Sequence, residues 1–209
     1  MKTSVALSLI LAALAPLRAV ETFTPNLRSL ATGDKMRWVE DAKGKAALFT
    51  PTIVWLPGVS FRTGTIEVDI LGKSAPRQSN FPGVVFHGID DSTYESVYFR
   101  PFNFRADNPE NASHAVQYVS NSEWPWQKLR TERTGQFEKP IAPAPDGDTW
   151  FHARIVVEER QVTVFVNGAK EPSLTVPRLN ERMDGKIGIT GGDAGDGGYF
   201  ANLKITPGS

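Results

Sequence analysis

Two carboxylates, Glu67 and Asp69, stand two residues apart in the segment TIEVDILG, residues 65–72. Apolar and polar residues alternate strictly there, which is typical of a β-strand with one buried face and one exposed face. Alternate residues share a face at a spacing of about 6.6 Å, and flexible side chains can bring two carboxyl groups to the roughly 5–9 Å used by glycosidases. The pair therefore predicts either acid and base chemistry on a glycoside or a structural polar pair facing solvent.

Further polar residues recur on the outward faces of other predicted strands. In strand 95–100, Val97 and Phe99 form the apolar set, so the residues between and after them point outward. If these strands neighbour strand 64–71, one concave surface collects the polar groups, and two tryptophans of a long loop add flat apolar rings. The candidate catalytic residues are Glu67 and Asp69, and the candidate ligand-binding residues are Arg100, Tyr98, Gln117, His87, Trp124 and Trp126.

The sequence gives little support for a metal or cofactor site. The three histidines, His87, His114 and His152, do not stand at metal-ligand spacing from one another, and no nucleotide-binding fingerprint is present. Calcium is an alternative at two loops rich in oxygen donors, although turn formation explains the acidic residues there more simply. These acidic residues are Asp90, Asp91, Asp193 and Asp196. We therefore expect no cofactor, with calcium as the alternative.

The composition excludes several classes of partner. Lys plus Arg and Asp plus Glu number 23 each, and no basic block occurs, so neither nucleic acid nor an anionic membrane surface is an expected partner. The first residues, with Lys2 and an apolar run over 5–17, resemble a secretory signal peptide ending at Ala19. We expect residues 1–19 to be this signal, residues 20–209 to form a single domain, and the protein to be secreted or periplasmic, with an oligomeric state that the sequence does not indicate.

The punctuation of the chain predicts an all-β fold. Gly and Pro separate short alternating runs, and helical periodicity is nearly absent, which favours a sandwich or barrel. The clearest element is a hairpin that joins strands 151–158 and 161–167, followed by a turn at Asn167 and Gly168. Two segments, 101–113 and 121–149, are long enough without predicted structure to suggest functional loops.

An ordered set of motifs resembles the concanavalin A-like lectin/glucanase superfamily in its laminin-G-like form, and within it the 3-keto-disaccharide hydrolase family. The set comprises FRTGTIEVD (61–69), DSTYESVYFRP (91–101), AVQYV (115–119), the hairpin from WFHARIVV (150–157) to VFVNG (164–168), and the pair GKIGI (185–189) and FANLKI (200–205). The resemblance covers about residues 47–207 and implies a two-sheet antiparallel jelly-roll sandwich. Glucanases of this fold carry a third acid after the first two, whereas Leu71 and Gly72 follow Asp69 in this chain.

The leading hypothesis is an exported carbohydrate-binding domain that holds a saccharide on the concave sheet. The first alternative is a glycoside hydrolase or lyase of the 3-keto-disaccharide hydrolase type, with Glu67 or Asp69 as acid or base. The second alternative is a laminin-G-like module that binds a protein partner. Fold alone does not choose among them, because this superfamily serves all three functions.

Overall fold

The chain folds into two antiparallel β-sheets packed face to face, as seen in a computed structural model that describes residues 21–33, 35–192 and 196–208. The strands within these ranges are β1 (Arg37–Ala42), β2 (Lys45–Thr50), β3 (Ile53–Phe61), β4 (Gly64–Leu71), β5 (Gly83–Gly88), β6 (Tyr94–Phe99), β7 (Val116–Asn121), β8 (Glu138–Lys139), β9 (Trp150–Val157), β10 (Gln161–Val166), β11 (Leu174–Pro177), β12 (Gly185–Thr190) and β13 (Gly198–Pro207).

The strand order keeps some sequence neighbours in one sheet and places others in different sheets. One sheet has seven strands in the order β1-β2-β13-β4-β9-β10-β11, and the other has six in the order β3-β12-β5-β6-β7-β8. The chain crosses from one sheet to the other between β3 and β4, and again between β4 and β5. This arrangement confirms the predicted all-β, two-sheet antiparallel jelly-roll sandwich.

The core lies between the sheets and follows from the alternation of side chains. In β9, every second residue from Phe151 to Val157 is buried, and in β10 the same holds from Val162 to Val166. Burying each of the larger side chains among them, Phe, Ile or Val, contributes roughly 1.5–3 kcal/mol relative to leaving it in water. Phe99 of β6 meets Phe151 of β9 edge to face, with ring centroids 5.0 Å apart, so aromatic contacts join the two sheets directly.

The predicted hairpin is confirmed. Glu158 N–H donates to the Gln161 carbonyl at 2.9 Å and closes the turn between β9 and β10. Asn167 and Gly168 then take positive φ angles of 51° and 69°. A residue without a bulky branched side chain is needed at such angles, which is why Asn and Gly stand there.

The two long segments predicted as loops contain structure of their own. Segment 101–113 holds a 3₁₀ turn, Pro101–Asn103, and a short helix α1, Pro109–Ala112. Segment 121–149 holds helix α2, Trp126–Glu132, and the two-residue strand β8. Periodicity could not reveal them because they are only one or two turns long, and β8 is a short edge strand paired with β7.

The N-terminal predictions are not addressed by these elements. Residues 1–20, which include the predicted signal peptide and its cleavage point after Ala19, lie outside the described residues. Within the ranges that are described, no helix has the length and apolar character needed to cross a membrane.

Candidate functional site

A pocket of about 400 Å³ opens on the outer face of the six-stranded sheet. Its size falls in the range typical of small-molecule sites, about 300–1,000 Å³. Its floor is formed by the outward side chains of β6 and β7, and its walls come from the segments that follow β4, β6 and β7. The side chains that matter most below are Arg77, Tyr98, Arg100, His114, Trp126 and Arg130.

Arg100 anchors the floor of the pocket. Its guanidinium donates to the His114 carbonyl at 2.8 Å, to the Tyr98 hydroxyl at 2.7 Å, and to Gln117 Oε1. The side chain is only 6% exposed, and burial lowers the pKa of Arg100 from its ordinary value. Since β6 alternates, Tyr98 and Arg100 stand on the same face, opposite the core residues Val97 and Phe99, as the sequence predicted.

Tyr98 and Gln117 pair across neighbouring strands beneath Arg100. The two residues stand opposite each other in the register of β6 and β7, and the Tyr98 hydroxyl donates to Gln117 Oε1 at 2.8 Å. Burial raises the pKa of Tyr98 to about 12, so its hydroxyl remains protonated and serves as a hydrogen-bond donor. Gln117 Nε2 is buried and finds no hydrogen-bond partner in the described part of the chain.

A second polar group lies beside this floor, around the buried carboxylate of Glu138. Arg130 binds it with two nitrogens, at 3.2 and 2.8 Å, and His114 Nδ1 lies 2.9 Å from its Oε2. Arg100 approaches the same oxygen at 3.5 Å. Burial lowers the pKa of His114, which makes its neutral form dominant at pH 7.

Aromatic and polar side chains build the walls. Trp126, the first residue of α2, is 42% exposed, and the Arg130 guanidinium lies 4.9 Å from its ring centroid. Phe81 and Phe102 meet edge to face at 5.5 Å on another side. Gly192, at φ 89°, lets the backbone approach Phe81 closely, because a Cβ there would lie 2.5 Å from the Phe81 Cβ.

The predicted single polar surface does not exist. Glu67 and Asp69 lie on β4, in the seven-stranded sheet, whereas Tyr98, Arg100 and Gln117 lie in the six-stranded sheet. Since all five point away from the core, the two acids and the pocket residues occupy opposite outer faces of the sandwich. The prediction was wrong because it assumed that β4 neighbours β6, while β4 pairs with β9 and β13.

On its own face, Asp69 lies at the centre of a compact polar cluster. Its carboxylate accepts from Lys45 Nζ at 2.6 Å and from Asn202 Nδ2 at 2.7 Å, and it lies 2.8 Å from His152 Nδ1. Burial alone would raise the pKa of Asp69, but these hydrogen bonds outweigh it and the pKa is lowered. Glu67 lies 3.5 Å from the other nitrogen of His152. The cluster satisfies its own charges and does not line the pocket.

His87 is not on the pocket surface either. It is fully buried between the sheets, with Nδ1 2.7 Å from Glu95 Oε1 and Nε2 2.6 Å from the Arg62 carbonyl. Strict alternation fails there because His87 has a φ of 49° and the pairing of β12 with β5 shifts register nearby. The sequence prediction that it joins the outer face was wrong for this local reason.

A buried ionic network surrounds His87. Arg178, in the crossing segment after β11, donates to both oxygens of Glu95 at 2.7 and 3.2 Å, and the Tyr118 hydroxyl also donates to Glu95. Burial would raise the pKa of Glu95, yet the bonds from His87, Arg178 and Tyr118 lower it to about 2. The network fixes the chain where it crosses between the sheets.

The two tryptophans have different roles. Trp126 lines the pocket, while Trp124 packs against the core and lies between Lys128, at 4.0 Å, and Arg133, at 4.4 Å from its ring centroid. Trp124 therefore closes the end of the sandwich and is not placed to contact a ligand in the pocket. Of the two rings, only Trp126 offers an open face.

The two loops considered for calcium have other partners where they are described. Asp90 accepts from Ser92 and Thr93 in the turn between β5 and β6, and Asp91 accepts from Trp55 Nε1 at 2.7 Å. Asp193 lies outside the described residues, and Asp196 accepts from the Ser79 hydroxyl at 2.7 Å. Among the residues that the structure describes, no group of three or more His, Asp or Glu side chains could hold a metal ion.

Sequence reasoning missed most of the residues that line the pocket. Arg77, His114 and Arg130 are among them, and Glu138 lies directly behind the last two. No local pattern distinguished them, since they belong to irregular segments or short elements. The only usable signal was the length of segments 101–113 and 121–149.

No protein-family model matches the chain, and no curated protein matches it in sequence. Its fold is similar to the carbohydrate-binding module CBM66 from Bacillus subtilis, with a TM-score of 0.52 and 14% identity over 82% of this chain and 92% of that one. A Bacillus subtilis protein with a galectin-like fold gives a TM-score of 0.53 at 13% identity over 83% and 86%. A Parabacteroides distasonis protein provisionally named a glycosyl hydrolase gives 0.51 at 15% over 86% and 87%. At these identities the likeness shows the fold alone, a two-sheet antiparallel β-sandwich.

Proposed function

We propose that the protein binds a saccharide in the pocket on the outer face of the six-stranded sheet. The single observation that carries the proposal is the composition of this pocket: arginine and other polar side chains line it, and an exposed tryptophan ring forms part of its wall. Sugars present adjacent hydroxyls around an apolar ring face, and they are matched by this combination of groups.

The floor is held before any ligand arrives. Arg100, Tyr98 and Gln117 are fixed by mutual hydrogen bonds and by the His114 carbonyl. Preorganised groups cost less entropy on binding than flexible ones. The buried Gln117 side chain does not line the pocket and acts by holding Arg100 and Tyr98 in place.

The structural comparisons support the proposal without carrying it. A protein of similar fold is a carbohydrate-binding module, and another is provisionally named a glycosyl hydrolase. An exported location, secreted or periplasmic, suits a glycan-binding protein and remains part of the proposal, as does membership of the 3-keto-disaccharide hydrolase family.

The test is a glycan array followed by calorimetry on the mature domain and two variants. Trp126→Ala removes the open ring of the pocket, and Ile89→Ala removes a side chain that is 58% exposed and does not line the pocket. We expect Trp126→Ala to weaken saccharide binding about tenfold or more and Ile89→Ala to leave it within twofold. Circular dichroism confirms that both variants remain folded.

Two outcomes would contradict the proposal. A folded domain that binds no glycan overturns it and favours the protein-binding module. Equal losses in both variants would show that binding does not use the pocket. If the bound saccharide is instead cleaved, the protein is a glycoside hydrolase or lyase and not a simple binding protein. Substitutions on each outer face would then show which residues are needed for cleavage.

A further inference from the structure

The pocket is lined by an excess of positively charged side chains. Three of its lining side chains are arginines, Arg77, Arg100 and Arg130. Of the residues that the structure describes, no Asp or Glu lines the pocket, and Asp193 beyond Gly192 lies outside those residues. The whole chain carries equal numbers of acidic and basic residues, so this is a local excess and not a general property of the surface.

One carboxylate offsets part of this charge. Glu138 is 3% exposed and lies behind the pocket, where Arg130 contacts it at 2.8 Å and Arg100 at 3.5 Å. His114, beside it, is mainly neutral at pH 7 because burial lowers its pKa. Three guanidinium groups against one carboxylate leave a surplus of two positive charges around a partly enclosed space. A low-dielectric surround strengthens the attraction of such a surplus for an anion.

Two of the three arginines are placed to meet a ligand. Arg100 is committed to the floor through three acceptors. Arg77 is exposed and, within the described part of the chain, has one hydrogen-bond partner, Asn103 Oδ1 at 3.1 Å. Arg130 uses Nε and Nη2 on Glu138 and keeps a side chain that is 35% exposed. Each therefore retains guanidinium donors, which suit the two oxygens of a carboxylate.

We propose that the ligand is an acidic saccharide whose uronate carboxylate is bound by Arg77 and Arg130, while its ring packs against Trp126. This inference rests on the proposed saccharide function and adds the chemical class of the sugar. A uronate carries its carboxylate on the sugar ring itself, beside the face that packs on Trp126, and a planar guanidinium fork binds the two carboxylate oxygens together.

The experiment compares uronate oligosaccharides with their methyl esters, which keep the same ring and replace the charged carboxylate with a neutral ester. Galacturonate, glucuronate and mannuronate oligomers, their esters, and sulfated neutral oligosaccharides are titrated into the protein in 0.15 M salt. We expect one of the uronates to bind at least about tenfold more tightly than its own ester, since the neutral ester cannot form an ion pair with a guanidinium.

A matched pair of arginine variants tests whether the preference for uronates arises in the pocket. Arg77→Gln removes a pocket guanidinium, and Arg62→Gln removes one that is 61% exposed, pairs with Glu159 and does not line the pocket. We expect Arg77→Gln to weaken uronate binding about threefold to tenfold and to leave the weaker binding of the ester unchanged. Arg62→Gln should alter neither.

The outcomes separate this inference from the proposed function. Equal binding of uronate and ester, or preference for neutral glycans, overturns the acidic class and leaves saccharide binding standing. Binding of sulfated sugars without uronates overturns the carboxylate. Equal effects of Arg77→Gln and Arg62→Gln overturn the pocket as the source of the preference. If no glycan of any class binds, the proposed function itself fails.

Discussion

The two outer faces of the sandwich carry similar side chains and differ in what surrounds them. On the seven-stranded sheet, Asp69 is satisfied by Lys45, Asn202 and His152, all from neighbouring strands. On the six-stranded sheet, Arg100 also finds hydrogen-bond partners on its own face, but the surrounding chain segments enclose a pocket of about 400 Å³. A polar strand face therefore becomes a candidate site only where flanking segments enclose it.

The largest loss of stability is expected from a substitution in the interior, between the two outer faces. Glu95→Gln leaves the 2%-exposed Arg178 without a full counter-charge, and we expect a loss of about 3–5 kcal/mol in the free energy of unfolding. Urea denaturation at neutral pH measures this loss, with the exposed Glu159→Gln as control. A loss under about 1 kcal/mol would contradict the buried ion pair.

The same acid sets a pH dependence. The pKa of Glu95 falls from 4.5 to about 2 on folding, so its contribution is complete above 4.5 and is lost as pH falls toward 2. Stability of the wild type should therefore decline across that window. The decline should be smaller in Glu95→Gln, as thermal denaturation between pH 6 and 2 can show; parallel curves would contradict the assignment.

The next largest effects are expected from replacing one cation on each outer face with methionine. Arg100→Met removes a buried cation from the pocket floor, and we expect about 3 kcal/mol of destabilisation together with at least about tenfold weaker saccharide binding. Lys45 is the cation beside Asp69, and its side chain is 37% exposed. Lys45→Met should therefore lower the free energy of unfolding by less than about 1 kcal/mol and leave saccharide binding unchanged. Comparable binding losses in both variants would erase the distinction between the faces.

A smaller effect is expected from Asp69→Asn. The variant weakens three contacts and should lower the free energy of unfolding by about 1–2 kcal/mol at neutral pH. Because the pKa of Asp69 lies below 3.8 in the folded protein, the difference from wild type should shrink as pH falls below that value. Saccharide binding should be unchanged. Loss of a glycosidase activity in this variant would move the chemistry to the seven-stranded face.

The smallest effect is expected from Glu67→Gln. Its side chain is 35% exposed and lies 3.5 Å from His152 Nε2, so the free energy of unfolding should change by less than about 0.5 kcal/mol. Denaturation curves and saccharide titration check this directly. A large loss of turnover with unchanged stability would identify Glu67 as an acid or base after all.

The candidate site was only partly predictable from the chain. The outward direction of Tyr98 and Arg100 was correct because alternation follows from the two-residue period of a strand. His87 escaped the rule since a positive φ turns its side chain inward. Arg77, Arg130 and Glu138 were missed because they lie outside the alternating strands, apart from the two residues of β8, in segments whose folded positions depend on what they pack against.

By itself, the sequence determined the all-β class, most of the strands and the face on which their side chains lie, because these depend on neighbours a few residues apart. Only the tertiary structure decided which strands adjoin. That choice placed Glu67 and Asp69 beside β9 and β13 and away from Arg100, although β4 and β6 are close in sequence. Strand pairing is set by burial of the whole core and by long-range contacts, which no short segment encodes.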